Sequence, residues 1–294
     1  MKKKNLKTLA ACLCLSCTLL TGTLPTQAAA RTSVSQTAKS SSTVTNKKTH
    51  SGKGQASSSS SGTWKTIKSR HYYYNARGKK VKGKVKIGSR YYFFDKNGIQ
   101  RYGWKKIKNN YYFFRISTGT TGAYMLTSTT INGIALDASG RASKSVSNLR
   151  KLKLMTEANK IVEKISRPGM NKMQRLRASF DYVKKQYTYY CWREFRNTQD
   201  WEKDFAEDMF FRGGRGDCVS YAAAFAYLAN AVGMKKVYVI CSGGHGWAEI
   251  GGKIYDPDWA LVSSVDSYFA MSYDLSGVNG RPMYRGNRLY EKKI

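Results

Sequence analysis

The sequence is poor in histidine, in acidic side chains and in long apolar runs. It contains 3 histidines and 18 acidic residues among 294, against 51 lysines and arginines, and its formal net charge is +33. His50 and His71 lie in the N-terminal half, so His245 is the one imidazole of the C-terminal half. One histidine with scattered cysteines does not make a zinc site, and no glycine-rich phosphate loop is present. We therefore expect neither a metal site nor a cofactor.

The apolar stretch near the N-terminus is too short to cross a membrane. Leu9–Leu20 falls short of the roughly 20 residues that span a bilayer. Lysines precede it and small residues follow it, as in a secretory signal. We predict a signal peptide over 1–30, cleaved after Ala28 or Ala30, with no transmembrane segment after cleavage. An uncleaved anchor, or a lipoprotein modified at Cys17, is the alternative.

Export would leave three cysteines in the mature chain, Cys191, Cys218 and Cys241. Three thiols cannot all pair with one another in an oxidising exterior, so one of them stays single or reactive. Export would also remove four lysines, and the remaining charge, 33 − 4 = +29, calls for anionic partners. For an exported protein we expect wall polymers bearing phosphate or carboxylate, or an anionic membrane face, in preference to nucleic acid.

Residues 31–62 consist almost wholly of Ser, Thr, Lys, Gly and Gln and contain no Phe, Tyr or Trp. This composition is typical of a disordered linker. We expect it to let the folded parts stand away from a membrane or thread through a wall meshwork.

Residues 63–143 contain an internal repeat of about 20 residues, seen in three aromatic clusters. The clusters are Tyr72–Tyr74, Tyr91–Phe94 and Tyr111–Phe114, each followed by glycines. The pattern predicts successive β-hairpins, which must stack or pack on the next domain to bury their aromatic faces. A fainter fourth unit, Ile131–Gly140, is expected to close the array.

The Gly-Trp, Tyr-Tyr-Phe and Asn-Gly elements of this region resemble the cell-wall-binding repeats of bacterial choline-binding and glucan-binding proteins. The resemblance implies a partner such as peptidoglycan or teichoic acid, with choline held in aromatic cages by cation–π contacts. The wall-binding aromatic candidates are Trp64, Tyr73, Tyr92, Trp104 and Tyr112. Lys84 stands midway between the two tryptophans, where a third would fall, and its charge would repel choline. We therefore expect wall attachment or domain spacing; the alternative is that the aromatic side chains only pack the hairpins.

Beyond Ser143 the pattern changes to that of helices, and we assign 144–294 to a second domain. Apolar spacing and stop signals predict helices over Asn148–Ile165, Asn171–Tyr187, Trp201–Phe211 and Cys218–Val232. The last of these is apolar nearly all round, so it is expected to be the buried central helix. Asp217 is a good N-cap for it, and Gly233 ends it. A cysteine at a helix N-terminus lies at the positive end of the dipole, which predicts a lowered pKa for Cys218.

Two strands follow, over 236–241 and 245–250, and Gly251-Gly252 is a hairpin turn signal. A two-residue turn would pair Ile250 with Lys253 and place His245 diagonally across from Asp256 on one face. The same register puts Asp258 opposite His245, so either carboxylate could orient the imidazole. Trp247 shares that face.

A thiol, an imidazole and a carboxylate in this order suit nucleophilic catalysis, in which the imidazole moves the proton and the carboxylate orients the ring. The alternative is structural: Cys218 packs as a small core residue and His245 ends a strand.

Three motifs resemble the transglutaminase-like superfamily: Gly216–Ala222 around the cysteine, His245–Glu249, and Tyr255–Trp259 with its Asp-Pro. The resemblance implies an α+β, papain-like fold with helices packed on an antiparallel sheet. It also implies Cys218 as nucleophile, His245 as base and Asp256, in preference to Asp258, as orienter. Gly246 stands where the family usually has Ala.

The resemblance further implies an oxyanion donor upstream of the cysteine, for which Tyr190 and Trp192 are candidates. Trp247 and Asp258 are candidates for substrate contact. Cys241 is expected to be inert at the end of a buried strand.

The expected function is a secreted, wall-associated, cysteine-dependent acyl transfer or amide hydrolysis on a protein or peptide substrate, through a thioester. The alternative is a non-catalytic adhesin or scaffold that keeps only the fold. The sequence does not decide whether water or an amine resolves the thioester.

Overall fold

The computed structural model describes residues 62–117, 119–263 and 268–294. The predicted signal peptide, and the predicted linker up to residue 61, lie outside the described residues. Within the described part, no helix has both the length and the apolar character that a membrane span requires.

The N-terminal part is a series of antiparallel hairpins, as the repeat predicts. The pairs are β1–β2, β3–β4–β5, β6–β7 and β8–β9. Each aromatic cluster forms the second strand of its hairpin, because alternate rings can then pack against the next unit. The strands are β1 Thr63–Ile67, β2 Arg70–Tyr74, β3 Gly83–Ile87, β4 Arg90–Phe94, β5 Gln100–Arg101, β6 Gly103–Ile107, β7 Asn110–Phe114, β8 Thr129–Ile131 and β9 Ile134–Leu136.

Successive hairpins are joined by one contact that recurs with the period of the repeat. The Trp64 ring lies 5.1 Å from that of Tyr92, 28 residues later. One unit on, the Lys84 ammonium lies 4.3 Å from the centre of the Tyr112 ring. In the next unit the Trp104 indole donates a hydrogen bond of 3.2 Å to Asn132. Lys84 therefore occupies the place of a tryptophan in the array.

The C-terminal part is α+β, which confirms the predicted fold class. Its antiparallel sheet has the order β15-β14-β13-β12-β16, so the chain's last strand returns to pair with β12. The helices are α1 Val146–Ile165, α2 Lys172–Gln186, α3 Trp201–Phe210, α4 Cys218–Val232 and α5 Trp259–Val262, with 3-10 turns at Tyr273–Leu275 and Val278–Gly280. The strands are β10 Thr188–Tyr189, β11 Arg215–Gly216, β12 Val237–Cys241, β13 Gly246–Ile250, β14 Lys253–Tyr255, β15 Phe269–Met271 and β16 Tyr290–Lys293.

Helix α4 lies at the centre of this part and packs against α1, α2, α3, β12 and β13. Its alanines favour helix and are small enough to let several neighbours approach closely. Phe225 and Tyr227 are fully buried, and Phe225 makes an edge-to-face contact of 5.3 Å with Phe180 of α2. A helix fixed on all sides holds its first residue, Cys218, in a defined position.

The β6–β7 hairpin belongs to the same core as the helices. Trp104 is 1% exposed and packs in this core. A Cβ at Gly103 would lie 1.8 Å from the side-chain oxygen of Asn159 in α1, so only glycine allows this approach. Lys105 forms a buried ion pair with Glu163 of α1. The Trp104 ring is therefore buried where it supports the domain that follows, and its contact with the wall stays a prediction.

Candidate active site

Cys218 is the first residue of α4. The Asp217 carboxylate caps the helix by accepting a hydrogen bond of 3.0 Å from the backbone N–H of Ser220. The parallel pairing of β10 with β11 brings the segment at 188–190 alongside Gly216. Cys218 is only partly exposed. The local sequence thus places a thiol at a rigid helix start beside an accessible surface.

His245 is held just before β13 by a tight turn, in which its carbonyl accepts from the N–H of Ser242 at 2.8 Å. The β13–β14 register pairs Ile250 with Lys253 and Ala248 with Tyr255, as predicted. It brings His245 Nε2 to 2.6 Å from Asp256 Oδ2. Since an ionised carboxylate only accepts, Nε2–H donates and Nδ1 keeps its lone pair for another proton.

Asp256 is fully buried and both of its oxygens are engaged. Besides His245, Oδ2 accepts a hydrogen bond of 2.6 Å from the hydroxyl of Tyr284. Oδ1 accepts one of 3.0 Å from the backbone N–H of Trp259 at the start of α5. The carboxylate is therefore fixed in one orientation, and the imidazole with it.

The donor atoms of Cys218, His245 and Asp258 all lie within 4.8 Å of one another. His245 is thus placed between two carboxylates: Asp256 binds its Nε2, and Asp258 lies beside the thiol. Sulfur, imidazole and carboxylate are also ligands that transition metals accept. The expectation that no metal or cofactor is needed stays a prediction.

The imidazole is enclosed by aromatic rings. Trp247 stacks on it at 6.2 Å, and Trp259 and Tyr284 meet it edge to face at 6.3 and 5.9 Å. Trp247 is 0% exposed and its indole donates to the Tyr273 hydroxyl at 3.0 Å. The Trp247 ring therefore supports the imidazole from inside the core, and its contact with substrate stays a prediction.

A thiol, an imidazole and two carboxylates thus lie close together, and two family models match parts of the chain. Residues 159–262 match the transglutaminase-like superfamily. A choline-binding repeat matches residues 60–98. No curated protein sequence matches the chain.

Three solved structures are similar to a little over a quarter of this chain. The choline-binding domain of Spr1274 in Streptococcus pneumoniae is 22% identical, over 28% of this chain and 93% of that one, with a TM-score of 0.24. Choline-binding protein F from the same organism, solved with a peptidoglycan analogue, is 21% identical over 28% and 26%, with a TM-score of 0.25. The multimodular pneumococcal cell wall endolysin from phage Cp-1, complexed with choline, is 22% identical over 29% and 25%, with a TM-score of 0.25. The chain spans about a quarter of the length of the last two.

Gly246 departs from the residue usual in the family, and the structure gives the reason. A Cβ at this position would lie 2.7 Å from Cα and 3.0 Å from the backbone N of Val219, in the first turn of α4. Because residue 246 has no side chain, β13 can pass directly against the start of α4. This close approach keeps His245 near Cys218.

Replacing Gly246 with alanine is expected to push the start of α4 away from β13. An overpacked backbone contact of this kind costs about 1–3 kcal/mol of unfolding free energy. Urea denaturation measures it. Gly244→Ala is the matched control, since nothing lies within 4 Å of a Cβ there. Equal stability of the two variants would show that this contact is not tight.

The pKa of Cys218 differs from the prediction. Burial raises the pKa of the Cys218 thiol well above its usual value, and the carboxylates of Asp217, Asp258 and Asp256 raise it further. The backbone N–H of Gly246 acts in the opposite direction but does not outweigh these effects. The pKa of the Cys218 thiol is therefore raised and not lowered, contrary to the prediction.

The same negative surroundings act on the other two titrating groups. Burial alone would lower the pKa of His245, but the charge and hydrogen bond of Asp256, with Asp258 and Asp217, raise it. Burial, together with the charges of Asp256 and Asp217, raises the pKa of Asp258 to about 7, although His245 opposes this. Asp258 thus changes charge in the neutral range.

The two oxyanion candidates lie beside β11, upstream of the cysteine. Tyr190 and Trp192 are exposed, and the indole N–H of Trp192 donates at 3.4 Å to the carbonyl of Arg215. Their role stays a prediction. Cys191 is exposed, whereas Cys241 is buried and burial raises the pKa of its thiol to about 11.

Two tyrosines of the transglutaminase-like domain were missed by sequence reasoning. Tyr284, which binds Asp256, lies 28 residues after it in the chain and carries no local signal. Tyr189 lies next to the predicted Tyr190, and burial, followed by the proximity of Cys218 and Asp258, raises the pKa of its hydroxyl. Only the placement of β10 beside β11 marks Tyr189 as a neighbour of the thiol.

Of the other wall-binding candidates, Trp64 and Tyr73 are partly exposed, while Tyr92 and Tyr112 are 4% and 6% exposed. The buried side chains of Tyr92 and Tyr112 pack the hairpins, and their role in wall binding stays a prediction. The ring of Tyr112 also carries the Lys84 ammonium.

Proposed function

We propose that this chain is a cell-wall-associated enzyme that cleaves an amide bond through a thioester on Cys218. The proposal rests on the placement of one thiol, one imidazole and one carboxylate near the start of a buried helix. Besides the imidazole, Tyr284 and the backbone N–H of Trp259 donate hydrogen bonds to this carboxylate. A structural cysteine requires no such neighbours, since it can pack as a small apolar residue.

In the proposed reaction, His245 Nδ1 takes the proton of Cys218 as the sulfur attacks the carbonyl carbon of the substrate. Asp256 stabilises the imidazolium and keeps Nε2 protonated, so Nδ1 is the nitrogen that exchanges the proton. The N–H groups of the first turn of a helix lack intrahelical partners, so the N–H of Cys218 can stabilise the oxyanion. The imidazolium then protonates the leaving nitrogen, the C–N bond breaks, and the acyl group remains on the sulfur.

Acyl trapping on the full-length protein tests this proposal. A peptide thioester is mixed with the protein, and the acyl adducts on Cys191, Cys218 and Cys241 are measured by mass spectrometry at short times. We expect rapid acylation of Cys218 alone, and its loss in Cys218→Ala with the other two thiols unchanged. Equal, slow labelling of all three cysteines would favour the alternative of a scaffold that keeps only the fold.

We propose further that the hairpins attach the enzyme to an anionic wall polymer. Residues 62–117 contain 16 lysines and arginines and a single acidic residue, Asp95. All of the basic residues except Arg101 and Lys105 are exposed. The ammonium of Lys84 already lies over the rings of Tyr112 and Tyr91, at 4.3 and 5.1 Å, so these faces are not open to a quaternary ammonium. Charge, and not choline capture, supports the attachment.

Sedimentation of the full-length protein with purified bacterial walls tests the attachment. The whole chain is needed because β6–β7 shares its core with α1. We expect binding that is released by salt, since screening weakens contacts between exposed charges, and that is unaffected by free choline. Walls stripped of their phosphate polymers are the control. A protein that stays in the supernatant, or that choline elutes, would contradict this proposal.

A further inference from the structure

We propose that a cleft between the hairpins and the α1–α2 loop binds a phosphodiester group of the anionic polymer, through the guanidinium groups of Arg70, Arg167 and Arg175. This inference rests on the proposed attachment to a wall polymer and gives that attachment one defined binding site. It is carried by a cavity that three arginines line without carboxylate partners, and by buried donors in its lining that have no partner.

The cleft is a cavity of about 540 Å³ between the hairpins and the helices. This volume falls within the range of roughly 300–1,000 Å³ that is usual for ligand sites. The β1–β2 turn and β5 form one side, and the end of α1, the loop over 166–171 and the first turn of α2 form the other. A Cβ at Gly169 in this loop would lie 3.7 Å from Ser69 Oγ in the β1–β2 turn, so the two sides are close at this point. The cavity has room for a phosphate and for the polyol units bonded to it.

Three arginines from three different elements line the cavity: Arg70 of β2, Arg167 of the α1–α2 loop and Arg175 of α2. Within the part of the chain that the structure describes, none of them forms an ion pair. Elements that are far apart in the sequence thus bring three uncompensated positive charges to one cleft.

The acidic groups at this cleft are already paired with other cations. Glu163, the acidic residue of the lining, forms an ion pair of 2.5 Å with Lys105. Arg101, a fourth arginine of the lining, pairs with Asp95 at 2.8 Å. These pairs leave the charges of the other three arginines available to an anion.

Two buried polar atoms on the helical side of the cleft have no hydrogen-bond partner among the described residues. They are Nε of Arg175 and the hydroxyl of Ser166, and both residues line the cavity. The guanidinium of Arg175 is held in place because it donates a hydrogen bond to the hydroxyl of Tyr102, just after β5. A buried donor without a partner is unfavourable, and an ion is one of the groups that can satisfy it. The fixed guanidinium is therefore suited to receive an anion.

The chemistry of the lining favours a phosphate over a carboxylate. A phosphate group offers more acceptor oxygens than a carboxylate and accepts paired hydrogen bonds from guanidinium groups. Arginines from three separate elements therefore suit a tetrahedral anion. The first turn of α2 contains no acidic side chain, and the N-terminal end of a helix attracts phosphate. The hydroxyls of Ser69 and Ser117 in the lining can bind those of a polyol.

Calorimetric titration of the full-length protein with a synthetic trimer of glycerol phosphate, joined through phosphodiesters and free of choline, tests the inference. In Arg167→Gln we expect the Kd for the trimer to rise about 10-fold or more, because a charge-assisted hydrogen bond is lost. Arg167 is exposed, so folding does not depend on its side chain. Arg77→Gln is the matched control, since it removes the same charge from an exposed turn of the hairpins outside the cavity. We expect it to change the Kd less than two-fold, as for substitutions away from a site.

The outcomes separate this inference from the proposed attachment. Equal weakening in Arg167→Gln and Arg77→Gln would show that overall charge attracts the polymer, and it would overturn the inference while leaving the attachment intact. No binding of the trimer by a native protein that sediments with walls would overturn it as well. Tighter binding of inorganic phosphate or of glucuronate than of the trimer would assign the cleft to a different anion and contradict the proposal. Failure of the native protein to sediment with walls would instead refute the attachment. Acylation of Cys218 checks that each variant is folded.

Discussion

Replacing His245 with alanine is expected to lower the rate of Cys218 acylation by about 10³-fold or more. The Cys218 thiol has its pKa raised by burial and by three carboxylates. It therefore depends on an adjacent base, and His245 is the one imidazole in the C-terminal half of the chain. Stopped-flow measurement of acyl transfer from a peptide thioester gives the rate.

His71→Ala is the matched control for this prediction. His71 lies in β2 of the first hairpin and contacts Thr66 at 3.0 Å. We expect its loss to change the acylation rate by less than about two-fold, as for substitutions away from a site. If His245→Ala kept the native rate, another group would have to remove the proton, and the assignment of His245 as the base would fail.

Replacing Asp256 with asparagine is expected to lower turnover by roughly 10³–10⁴-fold and to change its pH dependence. Asparagine can donate to Nε2, which would favour the wrong tautomer and leave Nδ1 protonated. The charge and the hydrogen bond of Asp256 are the main causes that hold the pKa of His245 above its ordinary value against burial.

The direction of the pH shift follows from these causes. The base works only when neutral, so activity falls as the pH drops below the pKa of His245. Without the Asp256 charge, burial lowers that pKa, and the acid limb of the rate profile should move to lower pH. Rates of the native protein and of Asp256→Asn across the acid range measure the shift. Asp181→Asn, which makes the same chemical change in α2, is the control. If the acid limb of the rate profile moved in Asp258→Asn but not in Asp256→Asn, we would assign Asp258 as the orienting residue.

Much of the candidate site follows from local sequence. The Asp217 cap and the glycines before it place Cys218 at a helix start, and the Gly251-Gly252 turn sets the register that brings His245 to Asp256. The period of the aromatic clusters likewise predicts the hairpins and the position of Lys84. These features depend on hydrogen bonds and side-chain alternation among neighbours in the chain, so a single sequence can specify them.

The tertiary structure decided the environment of each group. Tyr284 reaches Asp256, Trp104 enters the core of the transglutaminase-like domain, and β16 pairs with β12, all across long sequence separations. The pKa of the Cys218 thiol is raised and not lowered, because burial and the charges of three carboxylates act on it. Burial and the charges of residues distant in the sequence depend on the folded structure. A pattern of neighbouring residues therefore cannot predict their effect on a pKa.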